Sequence, residues 1–197
     1  MTNADPAPLA ERRPRPTVVI VMGVSGCGKS TIAELLAERL GGRFKDGDEL
    51  HPRSNIEKMS AGTPLTDADR EPWLEAVRDH AANAAHEHGL SIVACSALKR
   101  SYRDTLRGVG RAESMPPVFH VYLHGSRELI ASRMGDRKGH FMPLEMLDSQ
   151  IATLESPTTE PRVVTVDVSP APEDIARAAE IALRALDDFP NTAPEPS

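Results

Sequence analysis

The segment MGVSGCGKST, residues 22–31, has the spacing G-x-x-x-x-G-K-[ST], which is typical of phosphate-binding loops. Its glycines let successive backbone N–H groups surround an anion, its lysine adds a positive charge, and its serine hydroxyl can bind Mg²⁺. An apolar strand candidate precedes the segment and an amphipathic helix candidate follows it, as the motif requires. These features predict a site for a nucleoside triphosphate and Mg²⁺, with Ser30 as a metal ligand. The candidate residues are Gly23, Ser25, Gly26, Cys27, Gly28, Lys29, Ser30 and Thr31.

Two aspartates one residue apart, Asp46 and Asp48, follow a short strand candidate at residues 42–44. Ligands of open α/β sheets lie beyond the carboxyl ends of the strands, so we expect both carboxylates beside the phosphate-binding loop. There, one carboxylate can hold a metal-bound water while the other accepts a proton from an acceptor hydroxyl. Their side chains can point the same way or diverge at Gly47, and a solvated turn is the alternative to a catalytic role. We interpret the pair as the place where phosphate reaches an alcohol.

The two cysteines, Cys27 and Cys95, form no disulfide framework and favour a reducing, cytoplasmic location. Cys27 has two interpretations, because it lies inside the phosphate-binding loop. It can be a small residue whose side chain turns outward, or a thiol whose pKa is lowered by the helix N-terminus.

Composition limits the partners of the chain. A net charge of −6 and a pI of about 5.7 leave no global basic surface for nucleic acid. The longest apolar runs, TVVIVM and LSIVAC, are far too short to span a bilayer. The N-terminal residues contain arginines but no apolar segment of a secretory signal. We therefore expect neither a nucleic acid nor a membrane partner.

Short apolar runs alternate with longer amphipathic segments along the chain. This alternation predicts a three-layer α/β domain of the P-loop NTPase type, with a mostly parallel sheet of about five strands and helices on both faces. The domain is expected at residues 17–187, between a disordered Pro-rich arm (1–16) and a disordered tail (188–197). Strands are predicted at 17–22, 42–44, 90–95, 118–123 and 162–168, and helices at 30–40, 66–89, 129–134, 144–154 and 172–186.

Phosphate-binding loops occur in many enzyme classes, so other segments must choose among them. The sequence lacks the N-K-x-D segment by which GTPases read guanine. It resembles the small gluconokinases of the P-loop type, relatives of shikimate kinase and the nucleoside monophosphate kinases, in four segments: MGVSGCGKST, DGDELHPRSNIEKMSAGTPLTDADREPWL, CSALKRSYRDTLR and RKGHFMPLEMLDSQIATLE. The resemblance implies a homodimer with a mobile lid at about residues 134–142. Its implied reaction is the phosphorylation of D-gluconate to 6-phospho-D-gluconate with ATP and Mg²⁺.

The resemblance also assigns roles around the two aspartates. It implies that Asp48 is the base that contacts the reacting hydroxyl, and that Asp46 lies near Mg²⁺. His51 and Arg53 are implied as ligands of the hydroxyls and the carboxylate of gluconate. Arg70 is a second candidate for the carboxylate, because an arginine can pair with it through two parallel hydrogen bonds. A surface charge is the alternative interpretation of either arginine.

Lys99 and Arg103 follow the third strand candidate. Their spacing of four residues places both on one face of a helix, where they could guard the pocket of the acceptor. We therefore count both as candidate substrate ligands.

The segment ASRMGDRKGHF resembles the lid of these kinases. The resemblance implies that Arg133 lies near adenine and that Arg137 and Lys138 fold over the transferring phosphates. Arg137 then joins Lys29 and Asp48 as a catalytic residue, and His140 is a further candidate for substrate binding. A lid of this kind excludes water from a site where hydrolysis competes with transfer.

Two other functions remain open at this point. One is a different small-metabolite kinase, such as one that acts on shikimate, although such a kinase is expected to have a different, glycine-rich segment where this chain has CSALKR. The other is a nucleotide-binding regulatory module without chemistry, against which the intact Lys29, Ser30, Asp46 and Asp48 argue.

Overall fold

The computed structural model describes residues 15–111, 115–135 and 144–190 of the 197-residue chain. These residues contain a five-stranded sheet, whose strands in chain order are β1 (Thr17–Met22), β2 (Arg43–Asp46), β3 (Leu90–Ala94), β4 (Val118–His124) and β5 (Val163–Asp167). Their order across the sheet is β2-β3-β1-β4-β5, and all neighbouring strands are parallel. The predicted parallel sheet is thereby confirmed.

The helices of the described residues connect these strands. They are α1 (Lys29–Leu40), α2 (Arg53–Ser60), α3 (Asp67–His88), α4 (Arg100–Arg107), α5 (Arg127–Gly135), α6 (Leu144–Thr153) and α7 (Pro172–Arg184), with a short 3-10 helix at Gly47–Leu50. Within the described ranges, none of the helices is both long and apolar enough to cross a membrane.

Two separate apolar cores confirm the three layers. Val19 and Val21 of β1 pack on one face of the sheet, in a core that also contains residues of α1 and α7. Val18 and Ile20 pack on the opposite face, with residues of α3 and α4. A central strand buried on both faces is expected to be apolar over nearly its whole length, which explains the apolar run after Thr17 in β1.

Hydrogen bonds at the start of α3 fix the helices that follow β2. Thr66 and Asp69 form a capping box, in which Asp69 N donates to Thr66 Oγ1 at 3.2 Å and Thr66 N donates to Asp69 Oδ2 at 3.0 Å. Lys58 of α2 donates to the same carboxylate at 2.6 Å. The hydrogen bond from Lys58, with those from Thr66, lowers the pKa of Asp69 to about 2. Asp69 thus takes part in the capping box and also joins α2 to α3.

The packed structure continues past residue 187, the predicted end of the domain. Phe189 is buried, and its ring meets the ring of Phe119 edge to face at a centroid distance of 5.0 Å. Asp188 pairs with Arg162, which precedes β5. The predicted domain end at residue 187 is too early, because Phe189 belongs to the core. The proline-rich composition of the last residues gave no indication of this contact.

His120 of β4 is a polar residue inside one of these cores. Its side chain is fully buried, and neither ring nitrogen has a hydrogen-bond partner among the described residues. Burial lowers the pKa of His120 to about 3; the charges of Arg107 and Arg103 act in the same direction, and Glu160 opposes them. The folded protein therefore holds this histidine neutral.

We predict that His120 makes the protein less stable in mild acid. The unfolded chain binds a proton at this histidine near pH 6.5, whereas the folded chain resists it down to about pH 3. The free energy of unfolding should therefore fall as the pH drops below 6.5, by up to about 1.4 kcal/mol per pH unit. Urea unfolding at pH 7.5 and 5.5 checks this, with His120→Phe expected to reduce the difference between the two pH values by about 1 kcal/mol.

The measured quantity is the difference in unfolding free energy between the two pH values within each variant. A loss of stability that the larger phenylalanine ring causes equally at both pH values therefore cancels. His86→Gln, a change at an exposed position of α3, is the matched control and should keep the dependence of the original protein. An unchanged dependence in His120→Phe would contradict the prediction.

Candidate active site

The predicted phosphate-binding loop joins β1 to α1 at the carboxyl edge of the sheet. Gly23 has a φ of 146°, and a Cβ atom there would lie 2.8 Å from Cys27 Sγ and 2.9 Å from the Leu123 carbonyl oxygen. Only glycine therefore lets the loop approach β4 this closely. Because α1 begins at Lys29, its unpaired backbone N–H groups border the loop.

Two groups of this loop are bound to protein partners. Lys29 Nζ donates to the Val24 carbonyl oxygen at 3.1 Å, so the lysine side chain folds over the loop. The Ser25 backbone N–H donates to Gln150 Oε1 of α6 at 2.6 Å. A phosphate group that binds in the loop must exchange these partners for its own oxygens.

The structure brings together Ser30 and Asp46, the two predicted metal ligands. The Ser30 hydroxyl in the first turn of α1 donates to Asp46 Oδ2 at 2.6 Å, and Asp46 is the last residue of β2. No group of three or more His, Cys, Asp or Glu that could hold a metal occurs in the described parts of the chain. A hydroxyl beside a carboxylate nevertheless suits Mg²⁺, which takes few protein oxygens and completes its shell with water and phosphate oxygens.

Gly47 fixes the turn between the two aspartates. A Cβ atom at this position would lie 2.6 Å from the Ala94 carbonyl oxygen, so the turn can pack against the end of β3 only with glycine. The buried Trp73 of α3 donates from Nε1 to the Gly47 carbonyl oxygen at 2.7 Å. The turn is therefore held from two sides.

The side chains of the two aspartates diverge from this turn. Asp46 accepts a hydrogen bond from the Asp48 backbone N–H at 3.0 Å and thereby caps the 3-10 helix. The side chain of Asp48 is 81% exposed, and no hydrogen bond to its carboxylate comes from any described residue. Of the two arrangements open in the sequence, the structure has the diverging one, which gives the carboxylates different surroundings.

His51 lies beside Asp48 with its side chain buried. Its ring stacks on Trp73 at a centroid distance of 4.1 Å, and its Nε2 atom lies 4.0 Å from Asp48 Oδ1. Burial lowers the pKa of His51, the charge of Asp48 raises it, and the charge of Arg70 lowers it.

The two arginines predicted for the acceptor differ in their surroundings. Arg53 has a side chain that is 92% exposed, and it pairs with Glu57 on the same helix at 2.8 Å. Arg70 is partly buried, and its side chain makes no ion pair or hydrogen bond with any described residue. Its charge acts on the pKa values of His51 and Tyr102. Arg70 thus keeps its guanidinium donors free, close enough to His51 for its charge to act on that ring.

Lys99 is paired with Asp67, the first residue of α3. Its Nζ donates to both carboxylate oxygens of Asp67, at 2.8 and 2.7 Å, and the Tyr102 hydroxyl donates to the same carboxylate at 2.5 Å. The hydrogen bonds from Lys99 and Tyr102 lower the pKa of Asp67. Lys99 stays partly exposed, and its role in substrate binding stays a prediction.

The predicted role of Arg103 in substrate binding needs correction, because its side chain is fully buried in the structure. Its guanidinium pairs with Glu160 through Nε and Nη2, at distances from 2.5 to 3.1 Å. The remaining donors bond to backbone carbonyl oxygens of Ala97, Leu98 and Glu155. All the nitrogens of Arg103 are engaged within the protein, so its role is structural.

The expectation for Cys27 also needs correction. Its side chain is buried in the core instead of turning outward. Burial raises the pKa of the thiol, although the charge of Lys29 acts in the opposite direction. The alternative of a reactive thiol with a lowered pKa is therefore not supported, and only the backbone of Cys27 remains available to a ligand. Thr31 lies exposed in the first turn of α1.

Of the predicted lid residues, only Arg133 lies among the described residues. Its guanidinium reaches the Pro170 carbonyl oxygen, in the connection from β5 to α7, at 3.5 Å. Arg137, Lys138 and His140 lie outside the described residues. Arg127 of α5 and Asp148 of α6, on either side of that segment, pair through two hydrogen bonds of 2.5 and 2.8 Å.

Three residues at the site were not among the sequence candidates: Trp73, Asn55 and Gln150. Trp73 and Asn55 lie within the segment that carries the resemblance. Neither residue type indicates a site by itself, because a tryptophan within a helix is typical of a core and an asparagine is typical of a helix terminus. The contact of Gln150 with the loop joins residues 125 positions apart, and no local pattern indicates such a contact.

Comparisons with known proteins agree with this geometry. The model of a family described as AAA domain matches residues 18–157. The gluconokinase of Gluconobacter oxydans is 46% identical over 159 residues, which cover 81% of this chain and 86% of that protein. The thermoresistant gluconokinase of Escherichia coli is 46% identical over 152 residues, which cover 77% of this chain and 84% of that protein.

Solved structures extend these similarities to the fold. A gluconokinase from Sinorhizobium meliloti superposes with a TM-score of 0.77 at 47% identity and covers 88% of this chain and 95% of its own. The APS kinase CysC of Mycobacterium tuberculosis has a TM-score of 0.64 at 20% identity, covering 87% of this chain and 99% of its own, and it shows a common fold only.

We predict that Arg103 supports stability, whereas Lys99 contributes little to it. In Arg103→Met, Glu160 stays buried, and its remaining ion-pair partner among the described residues is Arg107, at 2.7 Å. Loss of one member of a buried pair costs roughly 3–5 kcal/mol, and the remaining arginine places the expected loss near the lower value. Lys99→Met removes a partly exposed ion pair and should cost less than about 1 kcal/mol. Urea unfolding of both variants checks the difference, and equal stability of the two would contradict it.

Proposed function

Because the chain belongs to the gluconokinase family, we propose that it transfers the γ-phosphoryl group of ATP to D-gluconate and forms 6-phospho-D-gluconate. The observation that carries the proposal is the contact of Ser30 with Asp46 at 2.6 Å, with the exposed carboxylate of Asp48 two residues further on. The contact joins the end of a phosphate-binding loop to a turn whose second carboxylate, Asp48, is open to an acceptor. ATP is the donor implied by the kinase relatives and by the loop.

The residues of the loop account for binding of the donor. Backbone N–H groups at residues 23–28 and the N-terminus of α1 bind phosphate oxygens, and Lys29 neutralises charge on them. Ser30 and Asp46 are the residues that would hold Mg²⁺. When bound, this ion neutralises charge on the phosphate oxygens as it develops during transfer.

Asp48 is suited to act on the acceptor. Its carboxylate is exposed and receives no hydrogen bond from the described residues, so it is free to accept the proton of a substrate hydroxyl. The hydroxyl oxygen then forms its bond to the γ-phosphorus while the bond to the ADP oxygen breaks. Asp48 thus takes the proton, and the product is a phosphate monoester.

Gluconate carries a carboxylate and several hydroxyl groups, so its site requires a cation and polar groups. Arg70 fits the carboxylate better than Arg53 does, because it is partly buried and has free donors. An arginine binds a carboxylate through two parallel hydrogen bonds. His51 and Lys99 are the candidates for the hydroxyl groups of gluconate.

Other parts of the proposal rest on the family alone. They are the position of Arg133 at adenine, the roles of Arg137, Lys138 and His140 in the lid, a homodimer, and a cytoplasmic location. Binding of nucleic acid or of a membrane is not part of the proposed function.

An assay of ADP release checks the reaction and the role of Asp48 together. We expect turnover with D-gluconate that far exceeds turnover with shikimate. Asp48→Asn should lower kcat by about 100-fold or more while ATP still binds, because general base catalysis typically contributes factors of about 10² to 10⁴. A lack of turnover that depends on gluconate would contradict the proposed function, and normal kcat in Asp48→Asn would contradict only the role of the base.

The two arginines form a matched pair for the site of the gluconate carboxylate. Arg70→Ala should raise KM for gluconate by about 10-fold or more with little change of KM for ATP, since a charge-assisted pair contributes about 1.5–3 kcal/mol. Arg53→Ala removes an exposed arginine already paired with Glu57 and should have the smaller effect. A larger effect in Arg53→Ala would move the carboxylate to the other arginine.

A further inference from the structure

We propose that Asn55 and Trp73 hold His51 as a donor at Nε2, directed at Asp48, and that His51 is the positioning residue of this carboxylate. The proposal rests on the proposed function, in which Asp48 is the base. It adds Asn55 and Trp73 to the reaction, and it gives His51 a role toward Asp48 in place of one toward the substrate hydroxyls.

Asn55 determines which ring nitrogen of His51 carries the proton. Asn55 is buried, and its Nδ2 donates to the Asp69 carbonyl oxygen at 2.8 Å. A carbonyl oxygen only accepts hydrogen bonds, so this end of the amide must be the NH₂ group. The same Nδ2 lies 3.3 Å from His51 Nδ1, which must accept the second hydrogen. A neutral His51 therefore carries its proton on Nε2.

Trp73 fixes the plane of the His51 ring. The two rings stack at 4.1 Å with an angle of 14° between them. Trp73 is itself bonded to the carbonyl oxygen of Gly47, the residue between the two aspartates, at 2.7 Å. One side chain thus holds both the ring and the turn, so the direction of the Nε2–H group is fixed relative to the turn that carries Asp48.

The charges around His51 favour the neutral ring. Its side chain is only 4% exposed, and burial disfavours the imidazolium. Asp48 acts in favour of protonation and Arg70 against it, while Lys58 and Asp69 pair with each other at 2.6 Å. With a neutral ring, the tautomer alone decides whether Nε2 donates or accepts.

The remaining distance, from His51 Nε2 to Asp48 Oδ1, is 4.0 Å, which is too long for a hydrogen bond. The exposed side chain of Asp48 can rotate to shorten it, whereas the ring of His51 cannot move away from Trp73 and Asn55. A hydrogen bond from Nε2 then holds one carboxylate oxygen and leaves the other for the hydroxyl of the acceptor. Positioning of this kind can change a rate by as much as about 100-fold.

Nitrogen-15 NMR of the imidazole rings tests the tautomer in the unchanged protein at pH 7.5, without substrate. The signals of His51 are assigned by their loss in His51→Phe. We expect an unprotonated Nδ1 and a protonated Nε2. A ring protonated at Nδ1, or at both nitrogens, would overturn the proposal whatever the activity of the enzyme.

Kinetics of two substitutions test the positioning role. His51→Phe keeps a ring on Trp73 but has no donor, and it should lower kcat by about 10- to 100-fold with a smaller effect on KM. His51→Gln has an amide N–H near the position of Nε2 and should recover a substantial part of kcat. His86→Gln on the exposed side of α3 is the control and should keep normal kinetics.

The possible outcomes separate the two proposals. A glutamine variant no better than the phenylalanine variant, or a change in KM alone, would make His51 a structural or substrate-binding residue and overturn the positioning role. An enzyme without gluconate turnover would contradict the proposed function, while the NMR result would still decide the tautomer.

Discussion

The position of Gly47 between the end of β3 and the indole of Trp73 is the constraint on which the site depends. Because a Cβ atom would lie 2.6 Å from the Ala94 carbonyl oxygen, the turn can approach the sheet only with glycine. This close approach lets Asp46 reach the Ser30 hydroxyl across the carboxyl edge of β3. The divergence of Asp48 toward solvent follows from the same turn, so one backbone contact determines the surroundings of both carboxylates.

Arg103 and Arg70 differ in burial and in pairing, and these differences suit them to different functions. Arg103 is buried with all its nitrogens bonded, and it joins α4 to the segment before β5 through Glu160. Although burial acts to raise the pKa of Glu160, the hydrogen bonds from Arg103 and Arg107 hold it at about 2. Such a network has no donor left for a ligand, and breaking it costs much free energy because a buried charge would lose its partner. Arg70 keeps its donors free, and a substrate carboxylate can use them at little structural cost.

The fold and the position of the phosphate-binding loop between β1 and α1 could be predicted because they depend on local patterns. The apolar run of β1, the glycines of the loop and the capping box of α3 each act within a few residues. The error at Arg103 has a physical reason: a spacing of four residues gives one helical face but does not say whether that face is buried. Phe189 and Gln150 could not be predicted, because their contacts join distant parts of the chain. The different surroundings of Asp46 and Asp48 depend on Gly47 and Trp73, whose contact joins residues 26 positions apart.

Helix α6 connects the phosphate-binding loop to the segment that carries the predicted lid. Gln150 accepts a hydrogen bond from the Ser25 backbone N–H, and Asp148 on the same helix pairs with Arg127 of α5. A phosphate that takes the Ser25 N–H must displace the amide of Gln150, because one N–H group cannot serve both oxygens at full strength. The displaced amide lies two residues from Asp148, and the pair of Asp148 with Arg127 joins the two helices that flank residues 136–143. A single hydrogen bond from a backbone N–H thus links α6 to the loop in which the donor phosphates are proposed to bind.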